Sequence, residues 1–167
     1  MEEAMVEGGG TPAETYVVHG AQIYCTCGSR LSRLVVPLSH GTFIHDIPQL
    51  RISDSVPIKN VQVFGVCNNP NNPAVKAAAQ NIVNNIQNRK KGFMDRVLDL
   101  FTKKPKLEVN DDLVKKCVAL CTPIITIQWI GGKDDVKIDG EKALLSTCKL
   151  SCIYGGEIQI ACDGQRK

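Results

Sequence analysis

IHDIPQLRISD (Ile44–Asp54) and IDGEKALLSTC (Ile138–Cys148) are the two stretches on which the fold turns. They stand at a constant offset of 94 residues, with Ile44 on Ile138, Asp46 on Gly140, Pro48 on Lys142 and Leu50 on Leu144. Each runs from an apolar residue through turn residues and polar positions to a small or apolar pair. That is the pattern of a strand, a tight turn and a return strand. At the same offset Cys27 falls on Cys121 and Val35 on Trp129. A unit this short cannot bury its apolar face alone and must stack on its copy. The pair therefore predicts a mainly β body built from two pseudo-repeats of short strands.

Outward from these stretches, strands are predicted at Tyr16–Val18, Leu34–Val36, Thr42–Ile44 and Val61–Val66. The composition then changes. NNPNNP (68–73) reads as a turn or linker. Val75, Ala79, Ile82, Val83 and Ile86 follow at helical spacing over Pro73–Gln87. Phe93, Val97, Leu98 and Phe101 predict a second amphipathic helix that Pro105 ends, and Asp111 or Asp112 caps a brief third one running into Cys117. From Cys121 the β character returns, at Ile124–Ile130, Val136–Ile138, Lys142–Leu145, Leu150–Ile153 and Glu157–Cys162. The expected layout is a flexible N-terminal tail (1–15), a first β half (16–72), a helical insertion (73–116) and a second β half (117–167).

Composition excludes several function classes. Apolar residues make up 43% of the 167 and charged residues 22%, which is not the balance of a disordered chain. A net charge of +3 is too small to imply nucleic acid or a membrane surface by itself. No apolar run is long enough to span a membrane, and the start, MEEAMVEGGG, lacks the basic and apolar segments of a signal peptide. The expectation is a chain made in the cytoplasm and not exported by the general route. Arg89–Lys106 carries seven basic and two acidic residues. It reads as the solvated face of an amphipathic helix, or as a docking site for an acidic partner or nucleic acid. Ser39-His40 and His45-Asp46 are adjacent pairs whose side chains point to opposite faces of a strand, so they make no catalytic relay. No enzymatic activity is expected.

Eight cysteines are the unusual number. Without an export signal, clustered cysteines point to a metal before disulfides, and buried apolar thiols are the plain alternative. Cys25 or Cys27 and then Cys67 bracket the first unit, while Cys121 and then Cys152 or Cys162 bracket the second. Two such pairs related by a pseudo-twofold would bring four thiolates to one point, the closed arrangement of structural zinc. No CxxC occurs, so this is not a zinc ribbon.

Longer motifs carry a resemblance. VVHGAQIYCTCGS (Val17–Ser29) and DSVPIKNVQVFGVC (Asp54–Cys67), running into NNP, mark the first half. CTP (Cys121–Pro123), Trp129, VKIDGEKALL, KLSCIYGGEIQI and Gly164-Gln165 mark the second. In this order they resemble the PAAR-like proteins that cap the spikes of contractile injection systems, among them type VI secretion and phage-tail-like machines. The proline-alanine-alanine-arginine signature itself is absent. The resemblance covers 16–72 and 117–165. It implies a tapered β cap on a trimeric spike protein, with effector or toxin proteins attached to it, delivered outside the cell when the spike is expelled. It also implies one structural zinc, with Cys25, Cys67, Cys121 and Cys152 as matching ligands. Cys27, Cys117, Cys148 and Cys162 are then supporting or buried cysteines. Because related tips hold zinc mostly through histidine, a mixed site using His19 is the alternative ligand set. A stand-alone zinc module contacting nucleic acid through the basic insertion is the alternative function.

Overall fold

The structure, a computed structural model, describes residues 13–89 and 108–165. In chain order its elements are β1 (Gln22–Cys25), β2 (Ser32–Arg33), β3 (Phe43–Ile44), β4 (Ile47–Pro48), β5 (Val66–Cys67), α1 (Pro73–Arg89), α2 (Asp111–Lys115), β6 (Ala119–Leu120), β7 (Lys133–Ile138), β8 (Glu141–Ala143), β9 (Lys149–Ser151) and β10 (Glu157–Cys162). The chain is mainly β, as the two stretches predict, with a helical insertion, as the period over Pro73–Gln87 predicts.

Both predicted hairpins form, and each turns on two residues. His45 and Asp46 link β3 to β4, and Asp139 and Gly140 link β7 to β8; all four have positive φ. Two consecutive positive-φ residues are what a two-residue hairpin needs to match strand twist. The equivalence continues past the hairpins. Arg51 N–H donates to Asp54 Oδ2 (2.9 Å), and Leu145 N–H, 94 residues on, donates to Cys148 Sγ (3.3 Å). In return, Asp54 N–H donates to Arg51 O and Cys148 N–H to Leu145 O, both at 3.0 Å. An aspartate and a cysteine thus close the same turn in the two copies. The copies meet where Leu144 N–H donates to Leu50 O (3.1 Å).

A four-stranded sheet of order β2-β1-β10-β9 ties the chain's two ends together. Val17, Ala21, Ile23, Leu34, Leu50, Phe64, Trp129, Leu144, Leu150 and Ile158 fill one core beneath it. Trp129 satisfies its indole by donating to Asp54 O (3.1 Å), so the aromatic ring fixes the Asp54 turn from within.

Several expectations need correction. Ile124–Ile130 is not a strand: only Ile130 makes a bridge, to Lys149, and Ile124, Ile127 and Ile130 are exposed while Trp129 is buried. Val61–Val66 pairs continuously only at Val66–Cys67, with Val61 in isolated bridges. NNPNNP is the turn of its two readings and not a linker: Pro70 and Asn71 form it, and Asn72 N–H donates to Asn69 O (3.0 Å). Asn72 caps α1 by accepting from Ala74 N–H (2.9 Å), and Pro73 takes the first helical position, where a missing N–H costs nothing. On α1, Val75, Ala79 and Val83 are buried, but Ile82 and Ile86 face outward. The cap of α2 is Asn110, one residue earlier than expected, accepting from Leu113 N–H at 2.8 Å. Val75 and Ala79 of α1 pack with Val114 and Cys117 as a small second core. The predicted helix around Phe93–Phe101 and most of the basic run lie outside the described residues.

The Asp54 turn offers a direct check on the repeat. Asp54 also pairs with His40 Nε2 at 2.9 Å, and both side chains are nearly buried. Asp54→Ala leaves Arg51 N–H and His40 without their acceptor and is expected to cost about 1–3 kcal/mol. Cys148→Ala should cost less, because sulfur is the weaker acceptor. Urea midpoints of the two variants measure the difference.

Candidate metal centre

The site is assembled by backbone pairing, not by local motif. β1 runs antiparallel to β10 with Cys25 opposite Ile158, and Thr26 N–H extends the pairing to Glu157 O (3.0 Å). That contact sets Cys25 and Cys27 against the Cys152–Gly156 turn, itself closed by Cys152 N–H donating to Gly156 O (2.8 Å). On the other side Gly28 bridges Cys67, and Asn68 N–H donates to Cys27 O (3.1 Å). β5 in turn pairs Cys67 with Ala119 of β6, and Cys121 N–H donates to Gly65 O (2.8 Å). Four separated chain segments thereby deliver cysteines to one cavity.

That cavity has a free volume of about 20 Å³, room for one ion- or water-sized body. Cys25, Cys27, Cys67, Cys121 and Cys152 line it, with Phe64, Asn69, Asn72 and Gly156 among their neighbours. All four of the cysteines matched by the resemblance are therefore brought together. The fifth, Cys27, is one that the resemblance makes a supporting cysteine. Its signal in the sequence was the offset that paired it with Cys121. The other three cysteines are elsewhere: Cys148 in the main core, Cys117 under the helices and Cys162 exposed. All eight are free thiols.

His19 is not part of the cavity lining. Its Nδ1 accepts from Val36 N–H at 3.1 Å, a structural bond, so the mixed His19 ligand set is not supported. His40 is paired with Asp54, and His45 is spent on a hairpin turn.

The cavity makes thiolate charge expensive. Burial pushes the Cys25 thiol up to about 11, partly opposed by a backbone hydrogen bond at Cys27 and reinforced by Cys27, Cys152 and Cys121. Burial likewise raises Cys121, with Cys67 and Cys152 adding to it. Burial first, and the neighbouring sulfurs second, thus favour the protonated form of Cys25 and Cys121. Among the described residues, no group of three or more His, Cys, Asp or Glu is already drawn into a metal-binding arrangement. The donor set nevertheless suits a soft cation such as zinc, being all sulfur. N–H groups are already aimed at two sulfurs: Asn69 N–H donates to Cys67 Sγ (3.4 Å) and Asn69 Nδ2 to Cys27 Sγ (3.2 Å). Such donors offset the excess negative charge that four thiolates leave on a dication. Gly156 is required by proximity, since a Cβ there would stand 2.7 Å from Cys25 Sγ.

A family model described as a domain of unknown function (DUF4280) matches residues 17–165, nearly all the chain and all five cavity cysteines. The chain belongs to this family. Searches of the curated proteins and of the solved structures find no match. The family's span takes in both β halves and the helices between them.

Two outcomes check the site's chemistry. In protein stripped by a chelator, a raised thiol pKa favours folding while the thiol is protonated. Stability should therefore be full below about pH 9 and fall as pH rises toward 11, as urea midpoints across that range will read. Gly156→Ala should displace Cys25 and lower the stability by about 1–3 kcal/mol, read from the same urea midpoints, while leaving the β circular-dichroism signal in place.

Proposed function

We propose that this protein is a structural spike-tip protein of a contractile injection system, stiffened by one structural zinc. Cys25, Cys67, Cys121 and Cys152 are the proposed ligands. The observation that carries the reading is their convergence: four cysteines picked from eight by motif position, and spread over both halves of the chain, line one ion-sized cavity. Zinc bound there would cross-link β1, β5, the Cys121 segment and the Cys152 turn without redox chemistry. Structural zinc contributes apparent free energies of about 10–16 kcal/mol in small peptides. A narrow tip needs such a cross-link, because surface grows relative to volume as a body shrinks.

The role as a cap follows from strand edges. A trimeric β spike ends in unpaired backbone groups that invite uncontrolled pairing. The β3–β4 and β7–β8 hairpins are similar two-stranded units able to cover such edges, and Phe43 on the first is 53% exposed. In this reading the protein is made in the cytoplasm, caps the spike as a single copy, links effectors to it and leaves with it. The nucleic-acid reading depends on the basic run Arg89–Lys106, of which only Arg89 is among the described residues.

Elemental analysis of protein purified without chelator should give about one zinc per chain. Mixing with the cognate trimeric spike should give a complex of three spike chains to one cap, and alanine at all four ligands should abolish it. A wild-type protein that ignores the spike but binds DNA or RNA with a steep salt dependence would transfer the function to the alternative.

A further inference from the structure

The cavity holds more thiols than a tetrahedral ion can use, and one side chain stands between two of them. Cys25, Cys121 and Cys152 line the cavity with no bond to Asn69, whereas Cys67 and Cys27 both line it and both accept from that residue. Cys27 and Cys67 are themselves on adjoining strands, linked by the Gly28–Cys67 bridge and by Asn68 N–H to Cys27 O. Asn69 touches both sulfurs, one through its backbone N–H and the other through its side-chain amide. Cys27 Sγ also lies against Gly156, 3.7 Å from where a Cβ would be, on the same glycine that makes room for Cys25.

We propose that the metal is held by three fixed thiolates, Cys25, Cys121 and Cys152, and by a fourth drawn from either Cys67 or Cys27, with Asn69 as the positioning residue for both. This rests on the metal reading above and deepens it. When one of the pair ligates as thiolate, its proton is released to solvent. The other stays unligated, held by an Asn69 donor. The backbone of both segments is fixed by pairing, so the exchange falls to the side chains. A tip with a reserve ligand keeps its ion when one sulfur is lost to oxidation or alkylation.

Cobalt(II) titration of the full chain tests this, reading bound metal and the visible bands of a tetrahedral four-sulfur site. Wild type, Cys27→Ser and Cys67→Ser should each bind one equivalent with the four-sulfur spectrum. The double variant should lose that spectrum and bind at least about 10-fold more weakly. Cys121→Ser and Cys152→Ser should each lose it singly. Asn69→Ala should weaken binding about 10-fold or more with the spectrum unchanged in type. Circular dichroism monitors folding throughout, and Cys67→Ala replaces Cys67→Ser where serine disturbs the strand. Loss of the four-sulfur spectrum in either single variant overturns the proposal, as does its survival in the double variant. Failure of the wild type to bind cobalt or zinc at all would instead overturn the metal reading beneath it.

Discussion

The pairing of β1 with β10 is the contact on which the rest of the molecule depends. It joins residues near the two ends of the described chain, Gln22–Cys25 to Glu157–Cys162, and closes both halves around a single core. Val18 N–H donates to Asp163 O (2.9 Å), and Gly164 is pressed so closely on Ala21 that a Cβ there would come within 2.8 Å of its nitrogen. Without this pairing the hairpins would be isolated two-stranded units, which are marginal in water. With it, Cys25 and Cys27 face the Cys152–Gly156 turn. Core and cavity are therefore products of one long-range contact, and a chain that mispaired these strands would lose both.

The repeat was legible in the sequence because its units are local. A two-residue turn with positive φ leaves its mark in short, polar or glycine positions, and His45-Asp46 and Asp139-Gly140 carry that mark at the right offset. β10 and α1 were legible from their periods. β1 leaves no strand signal of its own, because QIYC is too short to alternate and its partner lies far along the chain. The isoleucines at 124, 127 and 130 misled for the opposite reason. They are β-prone by type, but their backbone is bridged only at Ile130 and their side chains lie outward. Four of the five cavity cysteines were found from motif position. The longer motif, Gly20-Ala21 followed by Cys25, singles out Cys25, although the offset of 94 pairs Cys27 with Cys121. β1 ends at Cys25 and the chain turns, and both cysteines line the same cavity.

A group of buried sulfurs is best served by N–H donors on stiff supports, and the loop 68–73 provides them. Asparagine supplies both: Asn69 gives two donors to sulfur, and its Oδ1 is anchored by accepting from Asn71 N–H at 2.9 Å. A lysine would bring charge but also a long, mobile stem. The short amide fits where a cation on a flexible chain would not hold its place.

The same loop couples the cavity to the helices. Asn72 is almost fully buried, lines the cavity and caps α1, while Asn69 three residues earlier holds the sulfurs. The first turn of α1 and the thiols are thus fastened to one short segment that is pinned at both ends. A rotation of α1 about its N-terminus would have to break the cap or drag Asn72, and with it Asn69, away from Cys27 and Cys67. In the opposite direction, a displacement of either sulfur would pull on Asn69 and through it on the foot of the helix. The insertion is joined to the β body by its second small core and by this loop. The loop carries the coupling, because α1 and the cavity share its residues and not merely a packed surface.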